Sequence, residues 1–250
     1  MSEIWDAVGG ANTLHPINGN GFRLVESQEE IATAEIVSDL DKQSILEEMI
    51  EQLSKPDCYP GTEHLHYLLF TPFRYPPLEY GSRFGGRSEP SLLYGGTTEY
   101  VTLCESAYYR FFFYYDMQTP PPSKMLKTQH TIFSFDYKTD QGIQLQNPPF
   151  DKYANELRNP KDYSATQALG SAMRGDGVKG FEYSSARDQQ GGISVALFDA
   201  TPLVSSEPYN KKPCLCQTSS ENVVFKLEGN IYRFNLDQFL IDGELPNPAN

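Results

Sequence analysis

The sequence has 250 residues, and 33 acidic against 20 Lys and Arg side chains give it a net charge of −13 at pH 7. This balance argues against binding to nucleic acid or to an anionic membrane surface, because both require a local excess of cations. The hydrophobic fraction of 39% is sufficient for a packed core and excludes a chain that is disordered throughout. We find no apolar run long enough to span a bilayer and no secretory leader, so we expect a soluble, cytoplasmic protein.

The cysteines and histidines do not form a recognisable metal site. The four cysteines are too scattered for a disulfide scaffold in a chain of this length. Cys214 and Cys216 lack the spacing of a zinc site, and the close pair His64 and His66 has no third histidine or cysteine nearby. We therefore predict that the protein binds no metal.

The N-terminal quarter of the chain differs in pattern from the rest. Apolar residues in the segment 39–53 recur at the spacing of an amphipathic helix, which Pro56 would end. Residues 22–25 form a short strand candidate between glycine-rich turns. We predict a small, mainly helical lobe over residues 1–60 that covers one face of the core, with a partner-docking surface as the alternative, and a second domain over residues 61–250.

The remaining sequence alternates strand patterns with two helix patterns. Helices are predicted at residues 98–115, where Thr98 can cap the helix, and at residues 163–173. The strands are predicted at residues 67–70, 73–75, 92–94, 131–137, 181–183 and 193–198, with a C-terminal hairpin over 223–227 and 231–234. These elements indicate the α+β class, with a mixed, largely antiparallel sheet.

Three arginines are candidates for binding an anion. Arg74, Arg83 and Arg87 lie in a glycine-rich stretch, and a guanidinium group suits phosphate or carboxylate. The alternative is that these arginines pair with the abundant surface acids.

Two further residues could take part in chemistry. Glu105 lies within an apolar helix pattern, where a carboxylate is either partnered by a cation or directed into a cleft. Ser185 lies in a turn between two short strands and either contacts a ligand or forms the turn. No histidine base accompanies it, which argues against hydrolysis of the Ser-His type.

Taken in order, these motifs resemble the RES domain, a family named for its Arg, Glu and Ser. The resemblance covers roughly residues 67–200, and Arg74, Glu105 and Ser185 match the three naming residues by position. The segments that carry it are Phe73-Arg74-Tyr75, Gly85-Gly86-Arg87, Leu93-Tyr94, Leu103-Cys104-Glu105, Tyr183-Ser184-Ser185-Ala186-Arg187 and Leu197-Phe198.

The resemblance implies an α+β fold like that of the ADP-ribosyltransferases, with flanking helices around the β core. It also implies a bacterial toxin that cleaves the nicotinamide–ribose bond of NAD by phosphorolysis or hydrolysis. NAD would be the substrate and inorganic phosphate a possible co-substrate. A helix-turn-helix antitoxin of the Xre type would be the partner.

The resemblance implies roles for six residues. Arg74 and Arg87 would hold the pyrophosphate of NAD, and Glu105 would stabilise the cationic ribose. Ser185 would position the ribose by a hydrogen bond. Two tyrosines would pack against the nicotinamide or the ribose, namely Tyr75 and Tyr94.

Two alternatives to NAD cleavage remain at the sequence level. One is a mono-ADP-ribosyltransferase that modifies a protein. The other is a catalytically silent module that binds a partner or a nucleotide. The silent module is motivated by Ser88 and Glu89, which follow the Gly-Gly-Arg loop where family members usually have an aromatic residue and Asn.

Overall fold

A mixed β-sheet organises the part of the chain that the computed structural model describes, which is residues 2–27, 39, 41–42, 44–45, 49, 56, 60–119 and 121–247. Its strands are β1 (His15–Glu26), β2 (Leu93–Gly96), β3 (Leu126–Gln144), β4 (Gly180–Ser184), β5 (Ile193–Leu197), β6 (Tyr209–Thr218), β7 (Asn222–Leu227) and β8 (Asn230–Asn235).

Over these described residues the sheet has eight strands in the order β1-β2-β5-β4-β3-β6-β7-β8, and β1 also pairs with β3. The pairings β1-β2-β5-β4-β3-β1 therefore close a ring. The β3–β4 pairing is parallel, whereas the other pairings are antiparallel. This arrangement confirms the predicted α+β class with a mixed, largely antiparallel sheet.

The helices flank the sheet. They are α1 (Glu3–Val8), α2 (Tyr67–Arg74), α3 (Glu99–Asp116), α4 (Ala154–Leu157) and α5 (Ser164–Gly175), with 3-10 turns at Gly10–Thr13, Asp151–Tyr153 and Leu236–Gln238. In the described part of the chain, no helix combines the length and apolar composition that a membrane span requires.

Helix α3 confirms the predicted helix at residues 98–115, including its cap. The Thr98 hydroxyl accepts a hydrogen bond from the backbone N–H of Val101, which satisfies a free donor of the first turn. Leu103, Ala107 and Phe111 recur at helical spacing and are fully buried against the sheet. The cap and the buried face together determine the start of α3, directly after β2, and its packing against the sheet.

The C-terminal hairpin is confirmed as β7 and β8. Glu228 and Gly229 join the two strands with φ angles of 49° and 84°. Two successive residues in the left-handed region form the tight turn that matches the twist of an antiparallel hairpin.

Part of the predicted N-terminal lobe belongs to the same body as the sheet. The strand expected at residues 22–25 is the end of the longer β1, which pairs with β2 and β3. Helix α1 contacts α5, and the indole of Trp5 donates a 2.6 Å hydrogen bond to Asp176 Oδ2. The predicted helix at residues 39–53 lies largely outside the described residues, and the domain boundary at residue 60 stays a prediction.

Two predicted strands were wrong, and one strand was not predicted. The residues predicted as strands at 67–70 and 73–75 form α2 up to Arg74, because Leu68, Leu69, Pro72 and Phe73 place their apolar side chains at helical spacing and are buried. Strand β6 was missed. Its buried Cys214 and Cys216 alternate with exposed residues at the period of two that a half-buried strand requires.

Candidate active site

A cavity of about 290 Å³ lies between α3 and one face of the sheet. It receives residues from β1, the loop before β2, β2, α3, β4 and β5. The lining residues are Phe22, Arg23, Leu24, Ser82, Arg83, Tyr94, Gly95, Gly96, Thr102, Glu105, Ser106, Tyr109, Tyr163, Tyr183 and Ser194.

Glu105 projects from α3 into this cavity and is held by Ser185. The Ser185 hydroxyl donates a 2.5 Å hydrogen bond to Glu105 Oε1. The same hydroxyl accepts from the backbone N–H groups of Arg187 at 3.1 Å and Asp188 at 3.0 Å. Because both acceptor positions of the hydroxyl are filled, its proton is directed at the carboxylate. Ser185 thus fixes one oxygen of Glu105.

The loop that carries Ser185 is itself fixed from three directions. Arg158 Nε donates to Ser185 O at 3.2 Å. Asp188, which is buried, accepts from the backbone N–H of Gln190 at 2.9 Å and of Gly192 at 3.0 Å. Ser185 N donates to Gly192 O at 2.8 Å. The loop therefore presents its hydroxyl in one orientation without the help of a ligand.

Arg23 extends from β1 to the cavity. Its Nη1 donates to the carbonyl oxygen of Tyr94 at 2.8 Å, and its buried Nε has no hydrogen-bond partner. Burial lowers the pKa of Arg23 to about 10, and among the described residues no carboxylate forms an ion pair with it. A half-buried guanidinium group that lines a cavity without a counterion is a favourable place for an anion.

Arg83 lies on another wall of the cavity and is 7% exposed. Its Nη1 donates to Asn159 O at 2.9 Å, and its guanidinium group lies 4.4 Å from the centre of the Tyr163 ring. Burial lowers the pKa of Arg83, but its electrostatic interactions with Tyr163, Glu105 and two further tyrosines together outweigh this effect and leave the pKa above its ordinary value. Glu105 therefore contributes to the raised pKa of Arg83, although the two side chains do not form an ion pair.

Tyr94 and Tyr183 are two of the aromatic residues in the cavity wall. The Tyr94 hydroxyl lies 2.9 Å from Ser82 Oγ and accepts from the backbone N–H of Phe84 at 3.1 Å. Burial raises the pKa of Tyr94 to about 12, so its hydroxyl is neutral at physiological pH. Burial, reinforced by the charge of Glu105, also raises the pKa of Tyr183 above its ordinary value.

The structure brings together three of the six predicted site residues. Glu105 and Tyr94 line the cavity, and Ser185 lies directly behind Glu105, where it is fully buried. The Ser185 hydroxyl is engaged with Glu105 and with two backbone N–H groups, so it contacts the cavity only through Glu105. This placement favours a positioning role over the predicted direct contact with a ribose.

The other three predicted residues do not line the cavity. Arg74, at the end of α2, donates from Nε to the carbonyl oxygen of Pro56. Tyr75 is 40% exposed. The side chain of Arg87 is 73% exposed and forms a 3.9 Å ion pair with Glu79. The guanidinium groups at this cavity are those of Arg23 and Arg83 instead.

Sequence reasoning included Arg83 among the candidate cations but missed Arg23. A signal was present, because Arg23 lies between Phe22 and Leu24 in a predicted strand. A cation between apolar residues of a strand requires a hydrogen-bond partner, a counterion or a ligand. What the sequence does not show is that β1 joins the sheet beside β2.

The cavity combines opposite charges that do not neutralise one another. One carboxylate, two guanidinium groups and several aromatic rings line the same cavity, and among the described residues no ion pair joins the carboxylate to either guanidinium group. Over the residues that the structure describes, no group of three His, Cys, Asp or Glu could hold a metal ion. The arrangement suits a ligand with a cationic and an anionic part.

Comparison with protein families identifies the RES domain. The RES domain family model matches residues 59–217, which is well over half of the chain. The matched segment contains Arg83, Glu105 and Ser185, whereas Arg23 precedes it. A search of curated proteins found no match to this chain.

Proposed function

The chain belongs to the RES domain family, and from this premise we propose that it is an enzyme that cleaves the nicotinamide–ribose bond of NAD. One observation carries the proposal. Glu105 and the guanidinium groups of Arg23 and Arg83 line one cavity and form no ion pair with one another. NAD has a cationic nicotinamide ring on one side of a ribose and an anionic pyrophosphate on the other, and it therefore matches both signs of charge.

The arginines would bind the pyrophosphate. Arg23 has an unpartnered Nε, and its Nη1 is held by the Tyr94 carbonyl, so the guanidinium group is oriented before a ligand arrives. Arg83 is held in the same way by Asn159. Preorganised guanidinium groups bind phosphate oxygens through parallel N–H donors. Tyr94 and Tyr183 would pack against the nicotinamide or the ribose.

Glu105 would stabilise the reacting sugar. When the bond between ribose C1′ and the ring nitrogen breaks, its electron pair stays on the nitrogen and neutralises the nicotinamide ring. Positive charge then develops on C1′ and on the ring oxygen of the ribose. A fixed carboxylate stabilises that charge, and the ring leaves as a neutral base without a strong general acid. Water or phosphate then supplies the electron pair for the new bond to C1′, and an attacking water releases one proton to the solvent.

Ser185 would contribute by holding Glu105 in place. A carboxylate that is fixed before the reaction does not have to reorient as charge develops on the sugar. The 2.5 Å hydrogen bond from Ser185 fixes one carboxylate oxygen. The other oxygen, Oε2, is the one that would face the ribose.

Incubation of the purified protein with adenine-labelled NAD tests the proposal, with and without phosphate. We expect nicotinamide release, with the label in ADP-ribose or its 1-phosphate. Glu105→Gln should lower the rate by about 10²–10³. Glu99→Gln on the same helix is the control, because Glu99 pairs with Lys212 outside the cavity lining. Label on protein would instead indicate a mono-ADP-ribosyltransferase, and intact NAD would indicate a silent binding module.

We also propose that the protein is a bacterial toxin with a cognate antitoxin of the Xre helix-turn-helix type, on the basis of its family. NAD loss would make its expression toxic. Expression in bacteria should arrest growth, and Glu105→Gln should relieve the arrest while Glu99→Gln does not. A small DNA-binding protein encoded by a neighbouring gene should restore growth when it is co-expressed.

A further inference from the structure

Ser194 carries a polar group that the fold leaves without a partner. The residue is 3% exposed and lines the cavity, and its hydroxyl makes no hydrogen bond within the described residues. A buried hydroxyl without a partner destabilises the folded protein. A ligand that enters the cavity can supply the missing partner.

The strand register fixes where this hydroxyl lies. Ser194 on β5 is paired directly with Gly96 of β2 on one side and with Tyr183 of β4 on the other. Directly paired residues have their side chains on the same face of a sheet, about 5 Å apart. Since Gly96 has no side chain, the Ser194 hydroxyl has the aromatic ring of Tyr183 as its neighbour on the cavity face.

The other hydroxyl groups of the serine and threonine residues in the cavity lining are engaged within the protein. Thr102 donates to the carbonyl oxygens of Phe22 and Thr98, at 3.1 Å and 2.9 Å. Ser106 donates to Thr102 O at 2.7 Å, and Ser82 bonds with the Tyr94 hydroxyl. Ser194 therefore differs from them in having its donor and acceptor positions open.

The ligand group that meets this hydroxyl follows from the proposed function, on which the inference rests. The nicotinamide half of NAD has three kinds of polar group, which are the phosphate, the ribose hydroxyls and the carboxamide. Arg23 and Arg83 account for the phosphate, and Glu105 accounts for the ribose. The carboxamide is neutral, is attached to a flat ring, and both donates and accepts hydrogen bonds, as the Ser194 hydroxyl does.

We propose that Ser194 hydrogen-bonds the carboxamide of the nicotinamide ring, so that the ring is held on the cavity face beside Tyr183. Ser194 is then a specificity-determining residue, because it distinguishes the carboxamide from a ring without it. The bond is present both before and after cleavage, and it therefore contributes to binding more than to the chemical step.

The test measures NAD cleavage and its inhibition by two rings, free nicotinamide and pyridine, which lacks the carboxamide. Ser194→Ala should raise KM for NAD and the inhibition constant of nicotinamide by about tenfold each. The same variant should leave kcat and the inhibition constant of pyridine within about twofold of the wild-type values. Ser194→Cys keeps the volume but bonds weakly, and it serves as a second variant with the same expected direction.

Ser134→Ala is the matched control. Ser134 is also a buried serine with an unpartnered hydroxyl, at 1% exposure, but it lies on β3 outside the cavity lining. Ser134→Ala should leave the inhibition constants of nicotinamide and pyridine unchanged. The role of Ser194 would be overturned if the inhibition constant of nicotinamide were unchanged in Ser194→Ala and Ser194→Cys, or if that of pyridine rose equally. In either case, NAD cleavage by the wild type would still uphold the proposed function. A wild-type protein that neither cleaves nor binds NAD would overturn both.

Discussion

Two pairs of arginines in this protein have contrasting surroundings. The cavity arginines, Arg23 and Arg83, are held by main-chain carbonyl groups, and among the described residues they have no carboxylate partner. The outer arginines, Arg74 and Arg87, lie off the cavity, the first bonded to the Pro56 carbonyl and the second paired with Glu79. An uncompensated, oriented charge has a larger effect on a bound anion than a solvated one. Under the proposed function, the contrast therefore favours the cavity pair over the outer pair as the ligands of the pyrophosphate.

Among the four arginines, the largest effect is expected from Arg23. Arg23→Ala should lower kcat/KM for NAD by about 10², because it removes an oriented cation from the cavity that would bind the pyrophosphate. Arg74→Ala is the matched control and should change kcat/KM by no more than about twofold. Steady-state cleavage assays of the two variants measure the contrast. A larger loss of kcat/KM in Arg74→Ala than in Arg23→Ala would support Arg74 as the pyrophosphate ligand, as the sequence motif implies, and would contradict the assignment to Arg23.

Arg83 should show a smaller loss in catalysis and an additional loss of stability. Arg83→Ala should lower kcat/KM by about 30-fold, which corresponds to about 2 kcal/mol for a hydrogen bond to a charged group. It should also lower the free energy of unfolding by about 1–3 kcal/mol, because it leaves the carbonyl of Asn159 without its donor.

Arg87→Ala is the matched control for Arg83→Ala. Denaturant titration measures the free energy of unfolding of both variants. Since the side chain of Arg87 is 73% exposed, its removal should change the free energy of unfolding by no more than about 0.5 kcal/mol. Equal losses of activity in the two variants would contradict the division into cavity and outer arginines.

The arginines also show what local sequence patterns can and cannot predict. Arg83 and Arg87 occupy the same glycine-rich stretch, and the sequence does not show which of them turns inward. The choice depends on Tyr94, whose hydroxyl fixes the backbone N–H of Phe84 and thereby the loop. Gly81 assists with a φ angle of 76°, and a Cβ there would lie 2.4 Å from Gly85 O.

Arg23 illustrates a second limit. Its position depends on β1, which pairs with β3 from Glu26↔His130 to His15↔Gly142, a contact between distant parts of the chain. No local periodicity encodes that pairing. Glu105 and Ser185, by contrast, were candidates from their own segments, each with a structural alternative. The resemblance to the RES domain, rather than the local pattern, singled them out, because serine is common in turns.

The Ser185 hydroxyl offers the finest test of the site, because its neighbour in sequence provides the control. Ser185→Ala should lower kcat by about tenfold with little change in KM, because Glu105 loses the bond that fixes it while the surfaces that contact NAD remain. Ser184→Ala removes a hydroxyl one residue away, on the opposite side of the strand end, and should leave kcat unchanged.

A purely structural role for Ser185 predicts a different result. Its hydroxyl also accepts from the backbone N–H groups of Arg187 and Asp188, so Ser185→Ala destabilises the loop in either case. Combining Ser185→Ala with Glu105→Gln separates the two roles. If Ser185 acts through Glu105, the double variant is no slower than Glu105→Gln alone, because the carboxylate to be positioned is already absent. If the two losses multiply, Ser185 contributes independently of Glu105 and the positioning role is wrong.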